Sequence, residues 1–123
     1  MTSTVPLMSV VDDDPSMREA ISWVLRSNGW RTETFASAAA FLEADTDRRP
    51  ACIVLDVRMP GMSGVELQRR LAETAGTPPI IVVSAHLTER LEQQILNSGA
   101  IACLRKPFTE DALLEAVRRA LER

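Results

Sequence analysis

The chain has 123 residues, 46% of them hydrophobic and 25% charged, with a formal net charge of −3. That is enough for one domain with its own core, and the charge gives no pull toward nucleic acid or an anionic membrane. No apolar stretch nears the roughly 20 residues of a bilayer span, and residues 1–6 lack the basic and apolar regions of a leader, so the expectation is one cytoplasmic domain over 1–123 with no membrane contact and no direct nucleic-acid binding.

The first apolar run, residues 7–11, reads as a strand and ends at Asp12-Asp13. Asp14-Pro15 is an N-cap followed by proline at the first helical position. Behind it Met17, Ala20, Ile21, Val24 and Leu25 recur at helical spacing, and Asn28-Gly29 closes that helix. A weak strand near 31–35 comes next, then a short Ala-rich helix opening near Ser37. That helix is expected to end before Asp47-Arg48-Arg49-Pro50, a solvated turn.

The third strand is 52–55, with Asp56 at its end and the loop Met59-Pro60-Gly61-Met62-Ser63-Gly64 after it. Val65, Leu67, Leu71 and Ala72 mark the third helix. Gly76-Thr77-Pro78-Pro79 breaks into a fourth strand, 80–83, which ends at Ser84. A fourth helix over 88–97 places Leu91, Ile95 and Leu96 on one side, and Ser98-Gly99 stops it. The fifth strand is 101–104, with Lys106 beyond it. The last helix starts near Thr109, with the apolar stripe Leu113, Leu114, Val117 and Leu121. Acids in its first turn and Arg118-Arg119 in its last suit the helix dipole. Cys52 and Cys103 each lie inside an apolar run and read as buried, reduced small hydrophobes.

Near-continuous rather than alternating apolar strands imply a parallel sheet covered on both faces. The order predicts an α/β flavodoxin-like (βα)₅ fold, a doubly wound five-stranded parallel sheet with helices on both sides. Asp12, Asp13, Asp56, Ser84 and Lys106 then all fall at or just past the C-terminal strand ends, where such sheets bind ligands. A carboxylate at the tip of a buried strand costs on the order of several kcal/mol unless a cation or donor compensates it. Mg²⁺ (or Mn²⁺) takes hard oxygen ligands, which Asp12, Asp13, Asp56 and the backbone carbonyl of Arg58 can supply. With a dication present Asp56 stays ionised and can attack phosphorus. Lys106 then offers a point charge and Ser84 an O–H donor to the phosphoryl oxygens.

Four separated segments carry a family resemblance: Val11-Asp12-Asp13, Leu55-Asp56 through Gly64, Val83-Ser84-Ala85 and Arg105-Lys106-Pro107-Phe108. In order and spacing, from Leu7 to Leu121, the chain resembles the receiver domain of two-component response regulators. The resemblance implies a signalling switch rather than a turnover enzyme: Asp56 accepts a phosphoryl group from a sensor histidine kinase or phosphotransfer protein, in a Mg²⁺-dependent reaction. It implies Asp12 and Asp13 as the acidic metal site, Ser84 as the switch hydroxyl, Lys106 as the phosphate-contacting lysine and a cis Lys106–Pro107 bond. Arg58 and His86 fall at positions that tune phosphoryl lifetime. The fourth helix, fifth strand and fifth helix form the expected partner or homodimer face, where Arg105, Glu115, Arg118 and Glu122 can contribute charge pairs. No output domain is expected within these 123 residues.

One position departs from the pattern. Three residues before Lys106, where the family often has an aromatic that follows the switch, stands Cys103, which has no ring to swing. The rival readings are weaker. A haloacid-dehalogenase-type phosphatase needs an acid two residues after its nucleophile, and Arg58 is there instead. A flavin phosphate would be repelled by three aspartates after the first strand, and no G-x-x-x-x-G-K-[ST] segment is present. A receiver-fold module that works by protein binding without phosphorylation is the remaining alternative. The intact Asp12, Asp13, Asp56, Ser84 and Lys106 set argues against it.

Overall fold

In the computed structural model, which describes residues 5–44, 50–73 and 76–122, strands and helices alternate five times. They are β1 (Leu7–Val11), α1 (Pro15–Ser27), β2 (Arg31–Phe35), α2 (Ala38–Glu43), β3 (Cys52–Asp56), α3 (Gly64–Ala72), β4 (Ile80–Ser84), α4 (Glu89–Asn97), β5 (Ala102–Arg105) and α5 (Glu110–Leu121). Every helix opens on a hydroxyl or carboxylate cap, from Asp14, Ser37, Ser63, Thr88 or Thr109, that accepts a backbone N–H of the first turn.

The five strands form one parallel sheet in the order β2-β1-β3-β4-β5. Because side chains alternate across each strand, the apolar runs feed two separate cores. Met8, Val10, Cys52, Val54, Ile81 and Val83 meet α1 and α5 on one face, through Ile21, Leu25, Leu113 and Val117. Val11, Ile53, Leu55, Ile80 and Val82 meet α2, α3 and α4 on the other, through Ala38, Leu67 and Ile95. β3 is the central strand, buried along its whole length, so Asp56 is presented from the best-anchored part of the sheet.

Small departures from the expected pattern have local causes. β3 and β4 run one residue further, taking in Asp56 and Ser84, and β5 is shifted one residue on. Leu96, expected on the apolar side of α4, is 39% exposed, and Ile95 with half-buried Leu91 makes the contact instead. Cys52 is buried as expected, but Cys103 is only half-buried because β5 is an edge strand. The expected turn at 47–50 lies, but for Pro50, outside the described residues.

A candidate acidic and phosphoryl site at the sheet's carboxyl edge

Strand order reverses between β1 and β3: from β1 the chain goes to one side, toward β2, and returns on the other at β3. Ligands of doubly wound sheets sit at such a point, and it is here that the acids converge. Asp12, Asp13 and Asp56 each bring a carboxylate oxygen within 4.8 Å of the others, with Asp12 and Asp56 buried and Asp13 exposed. Lys106, just past β5, reaches across the top of β4 to put its Nζ 2.9 Å from Asp12 Oδ2 and 3.5 Å from Asp56 Oδ1.

Asp12 is fixed on several sides. Its Oδ1 accepts the Asp14 N–H at 3.0 Å, its Oδ2 accepts from Lys106, and its backbone carbonyl accepts Arg18 Nη1 at 2.7 Å. Its own N–H donates to the Phe35 carbonyl at 3.1 Å, continuing the ladder to β2. Burial, followed by the Asp12 charge, pushes the Asp56 carboxyl up to about 6; Lys106 pulls it back and Asp13 raises it further. Burial also penalises the Lys106 ammonium, but its bond to Asp12 and the charges of Asp12 and Asp56 more than reverse this, so Lys106 is held protonated. Among the described residues one ammonium, in contact with Asp12 and Asp56, stands against the three carboxylates. Two negative charges are left over, and hard oxygen donors in this arrangement fit a small dication.

The other expected residues surround this centre. Ser84, 1% exposed, ends β4 beside Asp56: Asp56 pairs in register with Val83, and the Lys106 N–H donates to the Ser84 carbonyl at 2.8 Å. Ser84 Oγ accepts the His86 N–H at 3.1 Å. His86 is exposed at the rim. Arg58, also exposed, lines an open cleft with Asp13, Val57, Met59, Pro60, Ser63 and Val65, so it stands at the mouth of the acidic cluster. The Lys106–Pro107 bond is cis, and Cys103 faces the core beneath α3 and α4.

Two contributors escaped the sequence reading. Arg18 anchors the Asp12 carbonyl from the first turns of α1. Gly64, at the start of α3, lies so close to β3 that a Cβ there would be 2.2 Å from the Asp56 carbonyl oxygen and 2.9 Å from Val57 Cα. Its N–H donates to the Val57 carbonyl at 2.8 Å. Glycine is required there by close backbone approach; the residue was visible in the loop motif, its reason was not.

Five parallel strands with helices on both faces, and acids and a lysine meeting at the switch point, define a flavodoxin-like receiver. Residues 8–118 match the family model described as the response regulator receiver domain, and the chain belongs to that family. It is 42% identical over 122 residues to the response regulator protein TmoT of Ectopseudomonas mendocina, covering 99% of this chain and 56% of that one. To the transcriptional regulatory protein FixJ of Azorhizobium caulinodans it is 39% identical over 123 residues, covering 100% and 58%. The crystal structure of FixJ-N superposes with a TM-score of 0.87 at 34% identity, covering 100% of this chain and 97% of that one. The chain thus spans little more than half the length of these two curated relatives. It is a receiver domain of two-component, phosphorylation-based signalling, a class that binds Mg²⁺ and works with histidine kinases or phosphotransfer proteins. Among the described residues no helix is long and apolar enough to cross a membrane.

Proposed function

We propose that Asp56 is the phospho-acceptor of this receiver. The observation that carries the reading is a buried carboxylate at the end of the central strand, raised to about 6 by its surroundings, with Lys106 3.5 Å away and two further acids beside it. Asp13 and Asp56, with the Arg58 carbonyl, would hold Mg²⁺. Asp12, whose two oxygens already accept Asp14 N–H and Lys106, orients the set and can lend an oxygen. The ion supplies charge neutralisation when bound, keeping Asp56 ionised and screening the incoming phosphoryl oxygens from the acids.

This chain's own residues do the rest. An Asp56 oxygen attacks the phosphorus of a phosphohistidine or a small acyl phosphate, the new P–O bond forms as the donor's P–N or P–O bond breaks, and the leaving group departs with the electron pair. Lys106 and the Ser84 hydroxyl meet the transferred oxygens, since positioning and electrostatics do most of the work in phosphoryl transfer. Arg58 and His86, exposed at the rim, set how easily water follows, and His86→Ala is expected to change the half-life of the phosphorylated form. The receiver acts in the cytoplasm as a switch, accepting its phosphoryl group from a sensor kinase or phosphotransfer protein. It presents α4, β5 and α5 to a downstream partner or a second copy.

Incubation with Mg²⁺ and acetyl phosphate, read by intact mass, tests the assignment. One added phosphoryl that is lost in Asp56→Asn is expected. An adduct that persists in Asp56→Asn, or none on the parent chain with Mg²⁺ shown to bind, would overturn it.

A further inference from the structure

The residue before Lys106 takes no part in that chemistry, yet it makes a specific bond. Arg105 closes β5 in register with Ser84, and its Nη1 donates a hydrogen bond to the backbone carbonyl of Leu87. Leu87 lies three residues past Ser84, in the loop between β4 and α4, and its side chain is buried in the core beneath α3 and α4. The start of the same loop is tied by Lys106 N–H to the Ser84 carbonyl and by His86 N–H to Ser84 Oγ. Two consecutive residues therefore hold this loop at its two ends, and one of them, Lys106, also holds Asp12 and Asp56.

We propose that Arg105 is a positioning residue that clamps the loop from Ser84 to Leu87 in its resting arrangement, and that its release from the Leu87 carbonyl reports phosphorylation. The inference rests on Asp56 being the acceptor. When the Ser84 O–H turns toward phosphoryl oxygens on Asp56, the loop backbone is drawn the same way and the Leu87 carbonyl leaves Arg105. The arginine backbone cannot follow, because it is fixed in the β4–β5 ladder. Cys103, two residues earlier and so on the same face of β5, is too small to carry a signal by swinging outward or inward. Arg105 is long and permanently charged, and once freed it offers its guanidinium to a carboxylate of a partner.

The test uses the ¹⁵N-labelled chain with Mg²⁺ and acetyl phosphate. Arg105 is exposed at rest, and the Nη1 proton bonded to the Leu87 carbonyl is expected to exchange with water faster as the phosphoryl adduct forms. Arg105→Ala is expected to take up phosphoryl about 3- to 10-fold faster, the shift that loss of one net hydrogen bond from the resting state allows. Arg105→Lys should fall between the two. A merely structural arginine would change thermal stability and leave the uptake rate alone. Unchanged uptake in Arg105→Ala, or a guanidinium signal indifferent to phosphorylation, would overturn the proposal. Should Arg105→Ala fail to fold, the signal in the parent chain decides alone. A phosphoryl on Asp56 with Arg105 unmoved sinks this inference only, whereas a parent chain that takes none sinks the Asp56 assignment as well.

Discussion

At Asp56 the surroundings favour the protonated form: its carboxyl is raised from an ordinary 3.8 to about 6, by burial first and then by Asp12. The folded chain thus binds a proton there more tightly than the unfolded one does. The sign follows: without metal, Asp56 costs nothing below about pH 4, and the cost grows as the pH rises to about 6 and is complete above it. In chelator-treated buffer above pH 7, Asp56→Asn is expected to be more stable than the parent by about 2 kcal/mol, with the gain fading toward pH 4. Urea unfolding across that range checks it, and equal stability at pH 7 would contradict it. Gly64 makes the opposite prediction. Because the obstacle to a Cβ is the Asp56 backbone itself, which has no flexible end to give way, Gly64→Ala should lose about 3 kcal/mol and take up phosphoryl more slowly. Parental stability for that variant would show that α3 and β3 can separate without cost.

Between elements, the least comfortable contact is Gln68 on α3. Its side chain is 2% exposed, its Nε2 donates 3.1 Å to the Ile95 carbonyl near the end of α4, and its buried Oε1 meets no partner among the described residues. The Ile95 carbonyl also accepts from Ser98 N and Ala100 N. Gln68→Leu therefore removes a half-satisfied amide without orphaning its acceptor, and is expected to stabilise the chain by up to about 1 kcal/mol in thermal or urea unfolding. A loss of more than 2 kcal/mol would mean that the amide bond itself holds α3 to α4. Contacts of this kind were not legible in the sequence. The strands were, because residues 52–55 and 80–83 are apolar without interruption, residues 7–11 are broken only by Ser9, and all of them are buried. So was the placement of Asp12, Asp13, Asp56, Ser84 and Lys106 at the carboxyl edge, because each ends or follows a strand. Where a long side chain points is another matter. The bonds from Arg18 to Asp12, Gln68 to Ile95 and Arg105 to Leu87 depend on how helices settle on the sheet. Leu96 and Cys103 were misjudged for a related reason, since burial at the outer face of α4 and on an edge strand depends on what covers them.

Across the whole molecule, the two cores on either face of the sheet hold three acids and one lysine at a single edge, and the excess negative charge there is expected to make stability depend on a dication. At free Mg²⁺ ten times its Kd, binding is expected to stabilise the fold by about 1.4 kcal/mol. For a chain of this length that raises Tm by about 5 °C. Asp13→Asn should abolish most of the rise while leaving the fold intact by circular dichroism. An undiminished Mg²⁺ effect in that variant would place the ion elsewhere. The central claim is that this edge exists to carry a phosphoryl group on Asp56. Its most direct test is to phosphorylate the chain with acetyl phosphate and Mg²⁺, reduce the acyl phosphate with borohydride, and map the peptides by mass. Homoserine at position 56, and at no other aspartate, is the predicted result; unmodified Asp56 with the label at Asp12, Asp13 or elsewhere would contradict it.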